Sequence, residues 1–129
     1  MILAGCEDGQ HKHKSENFSS ISHLIAEPLA HDDMKVRVMG TLGNTGAVTS
    51  VFMTDYHQRN IMVQDSIPLE MKYFRNHKID PWKCSGAIVA VSGTLKYIEL
   101  IEVHNLELLD ITELRLIDKQ GREECMIPQ

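Results

Sequence analysis

The sequence predicts an all-β domain with short helices: a five-stranded Greek-key barrel with one helix between its third and fourth strands and a shorter one ahead of the first. Three observations lead there. Apolar residues recur with a period of two over several short stretches. Glycines stand inside two of these stretches, Gly40 and Gly93, where a barrel strand has to bend. The length of 129 residues and an ordinary composition, 43% apolar and 24% charged, suit one small hydrophobic core.

The elements follow in chain order. Ile21, Leu24 and Ile25 have helical spacing, and Ser22–Glu27 reads as a short helix, capped by Ser19 or Ser20 and ended near Pro28. It is expected to plug one end of the barrel. The period then changes to two over Lys35–Leu42, with Val36, Val38 and Leu42 on one face. Gly43-Asn44-Thr45-Gly46 reads as a turn, Val48–Tyr56 as the second strand and Asn60–Gln64 as the third, joined by a hairpin connection over Asp55–Asn60. Pro68 suits a first helical turn, and Leu69–His77 is rich in helix formers. Asp80-Pro81-Trp82 ends that helix, and Trp82 is expected to close the barrel bottom as a core residue. Ala87–Tyr97 and Ile101–Leu109 are the fourth and fifth strands. The chain thus divides into a tether over 1–20, a folded domain over 21–110 and a C-terminal extension over 111–129 packed on the barrel.

Helix, three strands, helix, two strands is the order of an OB fold. Val36-Arg37-Val38-Met39-Gly40-Thr41-Leu42, Phe52-Met53-Thr54-Asp55, Asn60-Ile61-Met62-Val63-Gln64-Asp65 and Val89-Ala90-Val91-Ser92-Gly93-Thr94-Leu95 resemble the first four strands of tRNA-anticodon-binding OB domains. The resemblance covers about residues 35–110.

The N-terminus adds a second resemblance. Leu3-Ala4-Gly5-Cys6 is similar to the lipobox of bacterial lipoproteins, in which the cysteine thiol accepts diacylglycerol and becomes the first residue of the mature chain. A full secretory signal has a charged and an apolar region upstream, so on this reading the native start lies before Met1. Residues 7–20 are polar and without periodicity, as suits a tether between a lipid anchor and a domain. With Cys6 as lipid acceptor, Cys84 and Cys125 remain as an even pair. In an oxidising periplasm they are expected to form a disulfide closing a loop of about forty residues, worth ~3–4 kcal/mol. In a reducing cytosol they would be small core residues. Taken together, the chain resembles bacterial OB-fold lipoproteins described as nucleic-acid-binding, a label that rests on fold, and a fold does not fix a function.

Charge argues against a strong polyanion binder. The formal net charge is −5, residues 1–34 carry two Lys against six Asp/Glu, and residues 35–110 balance eight against eight. Proteins that grip nucleic acid gain affinity by releasing phosphate counterions with Lys and Arg. No apolar run approaches the ~18 residues of a membrane-spanning helix.

OB domains bind on the outer face of strands two and three. With Val51, Met53, Ile61 and Val63 inward, Phe52, Thr54, Tyr56, Asn60, Met62 and Gln64 face outward, with Arg59 in the connection and Arg37 on the neighbouring strand. Rings flanked by Arg would stack bases and pair phosphates; alternatively, Phe52 packs beneath the N-terminal helix or a loop. Lys72, Arg75, His77, Lys78 and Lys83 form one basic cluster, either a solvated helix face or a surface for an anionic polymer or lipid headgroups. His11 and His13, near Glu7 and Asp8, lie in a tail without preformed geometry, and His57, His77 and His104 have no ligand spacing, so no metal is expected. No cofactor loop or catalytic order of residues is present, and an enzyme is not expected. The function expected is that of a binding module, first for a protein or peptide partner as a periplasmic adaptor. Single-stranded nucleic acid is the alternative and an oligosaccharide the weaker one.

Overall fold

The computed structural model describes residues 17–98, 106–118 and 125–126. Its centre is a five-stranded sheet: β1 (Lys35–Thr45), β2 (Val48–Phe52), β3 (Ser66–Pro68), β4 (Ile88–Tyr97) and β5 (Leu106–Asp118), in the order β3-β2-β1-β4-β5. Among the described residues three α-helices accompany it: α1 (Ile21–Ala26), α2 (Asp55–Arg59) and α3 (Met71–His77).

β1 is shared between two neighbours. Its first half, Lys35 to Thr41, pairs antiparallel with β4, and its second half, Thr41 to Thr45, with β2. Gly40 sits at this crossover, where the backbone passes close to β2. Val36, Val38 and Leu42 point inward, as their alternation predicts, and join Val51, Ile67, Val89, Val91, Leu95 and Leu108 in one core. Ile21 and Leu24 of α1 and Phe74 of α3 pack onto it. Ser20 caps α1, its hydroxyl accepting from the His23 N–H. All pairings between the five strands are antiparallel, and these ladders leave the sheet open. One parallel bridge, Leu69 with Leu108, joins the chain just past β3 to β5, and the Glu70 N–H donates to the Leu108 carbonyl at 3.0 Å.

The pair expected from cysteine counting is present. Cys84 and Cys125 are disulfide-bonded, 41 residues apart, with Cα atoms at 4.9 Å, and both are buried.

Several expectations are corrected. β1 continues through Gly43-Asn44-Thr45, and the tight turn is Gly46-Ala47, with Gly46 at φ 63°. The second strand stops at Phe52 because Thr54 starts a helix: its hydroxyl accepts from the His57 N–H, Asp55 lies in the first turn, and Asp55 pairs with Arg59 one turn on. The third strand is Ser66–Pro68, not Asn60–Gln64. Pro68 closes that strand instead of opening the helix, since its place opposite Ser50 at the edge of the sheet asks no N–H of it. β5 is described over Leu106–Asp118, so residues 111–118 lie in the sheet; the expected start of that strand at Ile101 lies outside the described residues. Trp82 is 61% exposed instead of core. Asp80 caps the turn Pro81–Cys84, and Cys84, not Trp82, faces inward to meet Cys125.

Candidate binding groove

Arg37 leaves β1 on the side opposite Val36 and Val38. It stands across from Ser92 on β4, which stands across from Glu113 on β5, a row over three strands. The row is bonded. Arg37 Nη2 lies 3.1 Å from Glu113 Oε1, the Ser92 hydroxyl donates to the same oxygen at 3.3 Å, and Arg115 Nε donates to Glu113 Oε2 at 3.1 Å. The Phe18 ring centre lies 5.0 Å from Arg37 Cζ, within cation–π range. The Ser19 N–H donates to the Arg37 carbonyl at 2.7 Å, which ties the chain ahead of α1 to β1.

Beside this row runs a groove of about 640 Å³, lined by Lys35, Arg37, Ser92, Thr94, Asp110 and Thr112 and flanked by Asn17 and Ser19. A β-bulge shapes it. Ser92 pairs with Glu113 but Thr94 with Leu109, so β5 holds extra residues opposite Gly93. Asp110 within the bulge has φ 48°, and its N–H donates to Glu70 Oε1 at 3.0 Å. Gly93 makes the bulge possible: a Cβ there would meet the Leu109 carbonyl at 2.7 Å. Glu70 also acts electrostatically. Burial, and after it the charge of Glu70, raises the Glu107 carboxyl above its ordinary value. A second recess, about 300 Å³, is lined by Phe18, Ile21, Met39 and Met53 together with Ser20 and Thr54. The two recesses share Ser19.

The aromatic platform expected on the outer face of strands two and three is not assembled. Phe52 shares its outward side with Thr41 and Ser66 in the register, yet it is 1% exposed. α2 covers it: the Phe52 ring and Gln58 Cγ both lie within 3 Å of where a Cβ on Gly43 would stand. Tyr56 and Arg59 are exposed on α2, with Arg59 paired to Asp55 at 2.9 Å, while Met62 and Gln64 lie in the connection to β3 and not in the sheet. Of the predicted ligand-binding residues, only Arg37 lines the groove.

Lys72, Arg75 and Lys78 are exposed on and just after α3, and Lys83 is exposed on the Pro81–Cys84 turn, as a solvated surface. His77 stacks on Tyr73 at 4.0 Å. Cys6 and the His11/His13 pair lie outside the described residues. Lys35, Ser92, Asp110, Thr112 and Glu113 were not singled out from the sequence. The alternation through Thr112–Leu116 is the signal that points to the last two.

No family model and no curated protein matches the chain.

Proposed function

We propose that the chain is an OB-fold-like binding module, held at the bacterial envelope by a lipid on Cys6 and facing the periplasm, whose ligand is a protein or peptide. Three features support the OB reading: the strand order, the helix between β3 and β4, and the Leu69–Leu108 bridge between the two edge strands. The Leu-Ala-Gly-Cys motif and a disulfide of the kind kept in oxidising compartments support the location.

One observation carries the ligand class. A recess walled by Phe18, Met39 and Met53 meets a polar groove that holds both signs of charge, and the two share Ser19. Methionines adapt to apolar side chains, while hydroxyls, Lys35 and Asp110 offer donors and acceptors to a peptide backbone. Nucleic acid is less well served. Its stacking ring, Phe52, is committed to packing, and the Arg37 guanidinium is engaged by Glu113. The hydroxyl-lined groove beside Phe18 favours an oligosaccharide as the second reading.

A photo-crosslinking residue at Met39, introduced in cells, tests the reading. Protein adducts are expected, insensitive to salt and lost on Phe18→Asp. Labelled oligonucleotides titrated at low salt, where attraction is least screened, are expected to show no binding. Oligonucleotide binding that weakens steeply with salt, with no protein adduct, overturns it.

A further inference from the structure

The two halves of β5 differ in what lies along their outer edge. The first half is covered by the Leu69–Leu108 bridge and the Glu70 to Leu108 hydrogen bond. Along Ile111–Asp118 the strand pairs with β4 on one side, and among the described residues no strand pairs with the other. Such an edge presents unpaired backbone N–H and C=O groups to any strand that approaches. Edges of this kind are commonly blunted by like charges. This one carries opposite charges two residues apart, Glu113 and Arg115, on one face, with side chains 37% and 49% exposed.

That spacing makes the edge complementary to itself. Let a second copy lie antiparallel, with the two-fold axis through Leu114. Glu113 then stands opposite Arg115 of the second copy, Arg115 opposite its Glu113, and Leu114 opposite its Leu114. Two opposite-charge cross-strand pairs form at once. An axis through Glu113 or Arg115 instead sets like charges face to face. The guanidinium has five N–H donors in a fork, so Arg115 can keep its bond to its own Glu113 and reach the other copy's. The pairing of β5 with β4 is regular from Glu113 to Leu116, the stretch this register uses. We propose that the chain forms a two-fold homodimer through antiparallel pairing of β5, in the register that sets Glu113 against Arg115. The bulges at either end of that stretch keep the contact short, below the ~1,200 Å² of a standard interface, so association is weak and is read at high concentration.

Sedimentation equilibrium on the full 129-residue chain, with Cys6 replaced by Ser to exclude intermolecular disulfides, tests this. Wild type is expected to rise with concentration from 14.6 kDa toward twice that mass. E113R and R115E each set like charges together and are expected to weaken dimerisation roughly tenfold or more. Mixed in equal amounts they restore opposite pairs, and a heterodimer at least as tight as the wild-type dimer is expected. Glu113 also holds Arg37, so a thermal melt checks the fold of E113R. Should that variant not fold, hydrogen exchange on the wild type decides, with amides of 113–116 expected to slow as concentration rises. A wild type that stays monomeric at millimolar concentration overturns the proposal. So do single variants that dimerise like wild type, a mixture of folded variants that stays monomeric, or protection that rises elsewhere and not at 113–116.

Discussion

The backbone of Gly40 lies against the Phe52 carbonyl so closely that no Cβ fits between them, and Val51 Cγ2 stands 2.8 Å from where that Cβ would be. The contact joins the bend of β1 to the end of β2, and it is made with backbone, which cannot rotate away. Gly40→Ala is therefore expected to destabilise the fold by about 1–3 kcal/mol, as overpacking does, read as a lower urea midpoint. An unchanged midpoint means that β1 and β2 separate more readily here than the contact implies.

The Cys84–Cys125 bond closes a loop that holds all of β4 and β5. By the loop-entropy relation, its loss costs ~3–4 kcal/mol. Replacing both cysteines with serine is expected to lower the unfolding free energy by at least that much, since both positions are buried. Denaturation with and without a reductant gives a second measure on the native chain.

Ile61 follows α2 in the left-handed region, at φ 52°, and is 60% exposed. The hydrogen bonds Ile61 N–H to the Gln58 carbonyl and Met62 N–H to the His57 carbonyl are those of a Schellman ending, where glycine is preferred. A β-branched residue is strained there. Ile61→Gly is expected to raise stability by about 0.5–1 kcal/mol, the relief of strain outweighing the added chain entropy. Lys78, at φ 55° after α3, carries no branch at Cβ, and Lys78→Gly is expected to gain less.

Glu107 gives the stability a pH dependence. Its carboxyl is raised in the folded state, by burial first and by Glu70 second. Between the unfolded and folded values the native state therefore holds more protons than the unfolded one, and stability falls as pH rises through that window. The penalty is absent below the unfolded value and complete above the folded one. Glu107→Gln is expected to stabilise the protein at neutral pH, with the gain vanishing near pH 4, as read from melting temperatures across pH. A gain that persists at pH 4 assigns the effect to packing instead.

Most of the sheet was legible, because half-buried strands announce themselves by alternation. Val36, Val38 and Leu42 did so, and so did Val89, Val91 and Leu95. The stretch 53–65 did not. Its apolar residues Met53, Ile61, Met62 and Val63 mimic strand faces, while the signals that prevail are local: the Thr54 cap, the Asp55–Arg59 pair and the left-handed Ile61. With a helix in this stretch, the expected aromatic platform is lost. Phe52 kept its outward side, but a helix of five residues lies over it. The groove is not legible in the sequence for a different reason. Lys35, Arg37, Ser92, Asp110 and Thr112 come from three strands, and only the register and the bulge at Gly93 bring them together.

The disulfide has a mechanical consequence. Load applied to the two ends of the chain crosses from Cys84 to Cys125 through sulfur, so the backbone of β4 and β5 between them is not drawn out. At about 3.5 Å per extended residue, the 41-residue interval hides roughly 140 Å of contour length from stretching. In a single-molecule force trace, the first three strands pull out while the last two stay looped together, and adding a reductant should lengthen the unfolding step by about that amount.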